Sequence, residues 1–299
     1  MAHTPVLLHE VLALLNPQPD DNYIDGTLGE GGHAREIVRM TAPHGRVLGI
    51  DWNESSYREF NRQEFNGKER IIAVQGNFKH MKEIAQRNKM ENIAGVLLDL
   101  GWASGQLGEV QGLSFKEHDE LLDMRFIKEG ISARDVVNSQ SEKELADIIY
   151  QYGEERYSRK IAKEIVAERT RHSLNTVEDL VRVVARAVPS RYERGRINPA
   201  TRTFQALRIY VNHELENLEQ GLHAAIDLVR EGGRVAVISF HSLEDRIVKR
   251  IGKEEEKMGH VRILTKKPIR AGKEELRENM RARSAKLRGV EKVITIAQK

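Results

Sequence analysis

Short apolar runs alternate with longer mixed stretches along the first hundred residues. The runs Tyr23-Ile-Asp25, Arg46-Val-Leu-Gly-Ile-Asp51, Arg70-Ile-Ile-Ala-Val-Gln75 and Ile93-Ala-Gly-Val-Leu-Leu-Asp99 have the length of strands. The last is almost wholly apolar, as a strand buried on both faces should be. Helical stretches fall between or before them at Glu10–Leu15, Ala34–Met40, Trp52–Phe65 and Lys79–Arg87. This alternation predicts an α/β fold, a doubly wound and mostly parallel sheet.

The pattern changes near Gly105. A glycine-rich loop, Leu107 to Phe115, leads to helical stretches at Ala133–Val137, Glu142–Tyr150, Ser158–Arg169 and Val177–Ala187, with no strand signal among them. Thr203–Arg230 then reads as one long helix, with apolar spacing at Phe204, Leu207, Val211, Leu215, Leu218 and Leu222. Gly232–Phe240 is a fifth strand, Leu243–Ile251 a helix, and Val261–Leu264 and Val290–Ala297 are the last strands. The expected organisation is a sheet domain from residues 1–106 and 204–299, interrupted by an all-helical insertion, 107–203.

Sheets of this kind bind ligands at the carboxyl ends of their strands. Asp25, Asp51, Asn77-Phe78 and Asp99 all lie at such ends. Gly29, Gly31 and Gly32 follow Asp25 and let the chain turn tightly and a ligand approach the backbone, before a helix begins near His33. The spacing Gly29-x-Gly31-x-x-Ala34 also fits a dinucleotide fingerprint. An acid facing that loop repels a pyrophosphate. It suits S-adenosyl-L-methionine, which carries an ammonium and a sulfonium and no phosphate. Asp51 is placed to accept the hydroxyls of an adenosine ribose. Phe78 is either a stacking face for the ligand ring or a loop aromatic that caps the core.

Composition narrows the setting. The 299 residues include no cysteine, so disulfides and thiolate metal sites are excluded and a reducing cytoplasm is expected. The lack of a Cys nucleophile also argues against methylation of a pyrimidine at ring carbon C5. The start of the chain has no basic and apolar leader, and no run reaches membrane-spanning length. No cluster of metal ligands stands out. The net charge is only +3, but it is unevenly spread. Arg182–Arg208 holds seven arginines against one acid, and Val261–Arg288 holds ten Lys/Arg against three Glu. Two such clusters beside a cofactor site favour a nucleic-acid substrate.

Several longer motifs now stand out: Asp25-Gly-Thr-Leu-Gly-Glu-Gly-Gly-His33, Leu98-Asp-Leu-Gly101, Leu122-Asp-Met-Arg125, Tyr152-Gly-Glu-Glu-Arg156, Asn198 to Arg208, Ser239 to Lys249 and Arg281 to Arg288. Together they resemble the bacterial small-subunit (16S) ribosomal RNA cytosine-N4 methyltransferase family, RsmH or MraW. The resemblance runs from His3 to the C-terminus. It implies a class I AdoMet-dependent methyltransferase domain with a helical substrate domain, acting on N4 of a cytidine in the decoding centre of 16S rRNA within the 30S subunit. It places cofactor contacts on Gly31, Gly32, His33, Asp51, Phe78, Asp99 and Gln106. The segment Asp99-Leu-Gly-Trp-Ala-Ser-Gly-Gln-Leu-Gly108 departs from the family pattern, as do Gln111-Gly-Leu-Ser-Phe115, Asp119-Glu-Leu-Leu-Asp-Met-Arg125 and Asn279-Met-Arg-Ala-Arg-Ser284.

The cytosine amino nitrogen is a poor nucleophile, so an acceptor on its protons would help localise the lone pair. Asp99 is the first candidate, His241 the second for orienting the base, and Asn198 a substrate-positioning residue. Arg202, Arg208, Arg281, Arg283 and Arg288 are the expected RNA-phosphate contacts. Two other function classes stay open: a non-catalytic RNA-binding assembly factor on the same fold, and a NAD-dependent dehydrogenase. The oligomeric state, a homodimer included, is not given by the sequence.

Overall fold

The computed structural model describes residues 5–101, 110–114, 119–195 and 197–293. The chain divides into two compact units, residues 1–103 with 215–299, and residues 104–214.

The first unit is built on a seven-stranded sheet. Its strands are β1 (Asn22–Asp25), β2 (Val47–Asp51), β3 (Ile71–Gln75), β4 (Ile93–Asp99), β5 (Val229–Ser239), β6 (Val261–Ile263) and β7 (Lys286–Lys292), in the order β3-β2-β1-β4-β5-β7-β6. The first five run parallel, and β7 is antiparallel to both β5 and β6. Helices α1 (Leu8–Leu15), α2 (Gly32–Met40), α3 (Glu54–Arg62) and α4 (Met81–Arg87) belong to this unit, as do α10 (Glu214–Leu228, from Leu215 on), α11 (Ser242–Lys257) and the short α12 (Lys273–Glu278). Two apolar layers flank the sheet. Val96, Leu98, Val235 and Val237 meet Leu218, Leu222 and Val248 on one face. Tyr23, Leu97, Ala236 and Leu287 meet Val11, Ala34 and Ile37 on the other. Alternate residues of β4 and β5 therefore serve opposite layers, which is why these strands are apolar throughout.

The second unit holds α5 (Ala133–Ser139), α6 (Glu142–Gly153), α7 (Ser158–Arg169), α8 (Val177–Ala187) and α9 (Thr201–Asn212). Three of these begin with reciprocal capping boxes, Ser132 with Asp135, Ser141 with Glu144 and Thr176 with Asp179. Each box satisfies backbone N–H groups that the first helical turn leaves open.

Several expectations need correction. The long helix expected over Thr203–Arg230 is two helices, α9 and α10. Buried Asn212 donates to the Met124 and Arg208 carbonyls and accepts from the Phe126 N–H, and His213 then turns left-handed at φ 51°. A side chain tied to a distant loop thus ends the helix where apolar spacing alone would continue it. Phe204, Leu207 and Val211 join the helical core, so α9 belongs to the second unit and the boundary lies at 214/215 rather than 203/204. Strand β5 begins at Val229, paired with Ile93, so Val229 and Arg230 leave the helix expected there. Helix α11 runs on through Lys253-Glu-Glu-Glu-Lys257, good helix formers without apolar spacing. The last strand is Lys286–Lys292, four residues before the expected start, because it pairs with β5 from Ser239↔Lys286 to Arg234↔Glu291. Residues 294–297 of the expected strand lie outside the described residues.

Candidate active site

Three carboxylates end adjacent parallel strands: Asp25 on β1, Asp51 on β2 and Asp99 on β4. Asp25 is 1% exposed. Its Oδ1 accepts from the Thr27 N–H at 3.1 Å and from the Thr27 hydroxyl. Thr27 Oγ1 in turn accepts from the Asp99 N–H at 2.7 Å, which ties the ends of β1 and β4 together. Asp51 accepts the Gly29 N–H on Oδ2 at 2.6 Å and the Asn53 N–H on Oδ1 at 2.8 Å. The glycine loop is thus fastened to the end of β2.

These acids share a poorly solvated space. Burial pushes the Asp25 carboxyl up to about 7, helped by the charges of Asp99 and Asp51 and opposed by the Thr27 bonds. Burial pushes Asp51 up to about 6 against its two backbone donors. A cation placed among them would favour the ionised forms. That is the electrostatic demand of an ammonium or sulfonium ligand.

The loop glycines serve partly unexpected ends. Gly31 caps α2 at φ +78°, and an added Cβ would lie 2.3 Å from the Phe60 ring. At Gly32 an added Cβ would meet Pro5 at 2.5 Å. The side-chain directions of both are therefore filled by the protein. Only Gly29, at φ +52°, faces open space, its nearest neighbour 3.9 Å away. At Gly31 and Gly32, close packing of the fold on itself is thus already a reason for glycine.

His33 is buried, with Nε2 3.0 Å from the Val6 carbonyl and Nδ1 3.7 Å from Asp99 Oδ2. It joins the N-terminal segment to the end of β4, a position that its place at a helix start does not disclose. Phe78 is half-buried, with Cδ2 and Cε2 directed at Gly221 of α10, so it caps the core on that side. Beside it, buried Asn77 accepts from the Lys79 N–H through Oδ1, while its Nδ2 has no hydrogen-bond partner among the described residues. A buried amide donor without a partner, at the carboxyl end of β3, is available to a ligand acceptor. Gln106 and most of the divergent segment after β4 lie outside the described residues.

His241 opens α11. Its Nδ1 accepts from the Glu244 N–H, and Glu244 Oε2 accepts from the Phe240 and His241 N–H groups. His241 Nε2 lies 3.1 Å from Glu244 Oε1 but is misaligned for a hydrogen bond. The Nδ1 atom is committed to capping, and Nε2 is buried without a hydrogen-bond partner among the described residues. Glu244 and Thr27 were not singled out in the sequence. The i, i+3 spacing of a capping box could have found Glu244; for Thr27 no signal exists beyond its place in the glycine motif.

Asn198 is in the helical unit, exposed, and its Oδ1 closes a turn onto the Ala200 N–H at 2.8 Å. Two of the expected RNA contacts are corrected. Arg208 makes a two-pronged pair with Glu214, Nε–Oε1 and Nη2–Oε2 both at 2.8 Å, and is 19% exposed. Arg288 donates to Asp245 at 2.6 Å and is 11% exposed. Each guanidinium has a carboxylate partner within the protein. Arg202 and Arg281 are partly buried and engaged within the protein. Arg283 alone of the five is exposed. An apolar cleft of about 250 Å³, lined by Leu222, Val237, Val248, Ile263 and Val290, shares none of the three strand-end acids.

The model of the MraW methylase family matches residues 1–293. Ribosomal RNA small subunit methyltransferase H of Syntrophotalea carbinolica is 43% identical over 308 residues, covering 97% of this chain and 98% of that protein. The protein of the same name from Thermotoga neapolitana is 45% identical over 296 residues, covering 97% and 96%. A solved rRNA methylase structure from Streptococcus thermophilus matches at a TM-score of 0.47 and 9% identity, covering 98% of this chain and 100% of that one.

Proposed function

Because the chain belongs to the MraW methylase family, we propose that it methylates the exocyclic N4 of one cytidine in the decoding centre of 16S rRNA, using S-adenosyl-L-methionine. It is a methyltransferase of ribosomal RNA, and the reading places it in the cytoplasm with its substrate, 16S rRNA or the 30S subunit. The observation that carries the cofactor assignment is the set of three carboxylates on adjacent strand ends, two of them buried with raised pKa values.

The residues present fit the cofactor. Asp51 keeps a lone pair on each oxygen beyond its two backbone bonds, which suits the paired hydroxyls of a ribose. Asn77 Nδ2 offers a donor to a purine ring acceptor, beside the apolar ring of Phe78. Asp25 supplies negative charge for the cationic part. The cofactor brings a methyl group on a sulfonium, ready for in-line displacement. The protein then supplies position and electrostatics. Asp99 accepts from the amino protons of the cytosine and localises the nitrogen lone pair toward the methyl carbon; the proton leaves after attack. The Gly101 N–H at 3.2 Å holds the Asp99 carboxylate in place, with His33 Nδ1 3.7 Å away. His241 orients the base through Nε2.

The test uses tritiated S-adenosyl-L-methionine and 30S subunits from a strain without the endogenous enzyme, followed by nucleoside analysis. N4-methylcytidine at one position is the expected product. Cofactor binding with label on another base, or on none, would overturn the acceptor assignment and leave the cofactor site standing.

A further inference from the structure

The link between β6 and β7, residues 264–285, carries seven basic residues against three acids. We propose that this strap is where the sheet unit grips the phosphate backbone of its RNA substrate; the proposal rests on the rRNA reading above and names the surface that serves it.

The strap is a rigid part of the fold. Ile269 and Leu287 exchange backbone hydrogen bonds at 2.9 and 3.0 Å. Ala282 and Ala285 are buried in the sheet core, and Ile269 and Leu276 pack against it. Asn279 is buried and turns the chain by accepting from the Arg281 N–H. The backbone that carries the cations is ordered before any ligand arrives, which lowers part of the ordering cost of binding.

The charges of this region divide into two groups. Lys286 and Arg288, on β7 itself, are partly buried against Asp245, whose carboxyl they hold below its usual range. Lys266, Lys267, Arg270, Lys273, Arg277 and Arg283 are exposed and have no side-chain partner among the described residues. Of the three acids, Glu275 is occupied: its Oε1 accepts the Leu7 N–H at 2.7 Å. A surface cation that neutralises a neighbouring acid has little left for a phosphate.

The strap is also wired to the acceptor end of the sheet. Glu275 holds Leu7; the preceding residue, Val6, offers its carbonyl to His33 Nε2; and His33 Nδ1 faces Asp99. Through these contacts the frame of the strap is joined to the N-terminal segment that packs beside Asp99. The strap offers charge and no exposed aromatic ring, so its contacts fix register and leave the choice of base to other residues.

The experiment compares the full chain with a Lys267→Gln/Arg270→Gln/Arg277→Gln variant and with Glu274→Lys/Glu278→Lys. Binding to a 16S rRNA transcript is measured over a series of KCl concentrations, and S-adenosyl-L-methionine affinity by calorimetry. The neutralised variant is expected to bind RNA at least tenfold more weakly, with the slope of log affinity against log salt reduced by about 2, near 0.7 per lost contact. The added lysines should tighten RNA binding and steepen the slope, a gain that misfolding does not imitate. Cofactor affinity should stay within twofold in both. Unchanged RNA affinity and slope in both variants, with normal methyl transfer by the parent chain, would overturn the strap and spare the enzyme assignment. A parent chain that transfers no methyl group to 16S rRNA would overturn both.

Discussion

The two units differ in how their buried acids are satisfied. In the helical unit most of the buried motif charges are satisfied by one another, although the buried Thr203 hydroxyl has no hydrogen-bond partner among the described residues. Asp123 takes two donors from Arg125, fully buried Glu155 accepts from the Tyr157 N–H and the Tyr192 hydroxyl, and Arg208 pairs with Glu214. At the strand ends of the sheet unit, Asp25 and Asp51 are buried with only hydroxyl and backbone donors, and Asn77 Nδ2 has no partner among the described residues. A polar group that the fold completes is part of the fold; one that it leaves incomplete marks where something else binds.

The sharpest way to break this contrast is at Asp99. Asp99→Ala should lower single-turnover methyl transfer by about 10²–10⁴-fold, with little change in melting temperature. A loss under tenfold would remove Asp99 from the acceptor role. In the helical unit the reverse outcome is expected. Gly153 sits so close to α9 that an added Cβ would lie 2.5 Å from the Arg202 carbonyl oxygen. Gly153→Val should therefore destabilise the protein by about 2–3 kcal/mol in denaturant unfolding, with cofactor affinity intact. Unchanged stability would mean that α6 and α9 are less tightly apposed than the structure shows.

Asp51→Ala should weaken S-adenosyl-L-methionine binding by more than about tenfold, roughly 1.4 kcal/mol; equal affinity in a calorimetric titration would remove the ribose role. A further test is pH dependence. The carboxyls of Asp25 and Asp51 have folded-state pKa values raised from 3.8 to about 7 and about 6. For an acid with a raised folded pKa, the folded state holds the proton that the unfolded chain gives up. That stability is fully present below the unfolded value and is lost as pH rises through the folded one. The melting temperature of the ligand-free protein should thus fall between about pH 4 and about pH 7, and Asp25→Asn should flatten the fall. Cofactor affinity should move the other way, tightening as the two acids ionise. Parallel trends would show that the acids do not serve a cationic ligand.

The sheet and its carboxyl-end acids were legible because strands of β1 to β4 end where their apolar runs end, and each end carries a polar residue. The strand-end rule then placed Asp25, Asp51, Asn77 and Asp99 together. Less legible were features set by contacts between distant parts of the chain. The break at His213 depends on Asn212 reaching Met124 and Phe126, and the roles of Arg208 and Arg288 depend on Glu214 and Asp245. A run of arginines looks the same in sequence whether its charges are free or paired. Gly31 and Gly32 illustrate the same limit: the glycine requirement was visible, but Phe60 and Pro5, which impose it, were not.

The pairing of β4 with β5 also sets a clock. Both strands lie in the middle of the sheet, yet about 130 residues of chain separate Asp99 from Val229. At a synthesis rate of roughly 5–20 residues per second, β4 waits on the order of ten seconds for its neighbour. During that time its apolar edge is unpaired, while the helical unit is completed from a single stretch of chain. The interruption that divides the enzyme in sequence thus leaves its central strand exposed during translation, and protection of that edge becomes a requirement of making the protein at all.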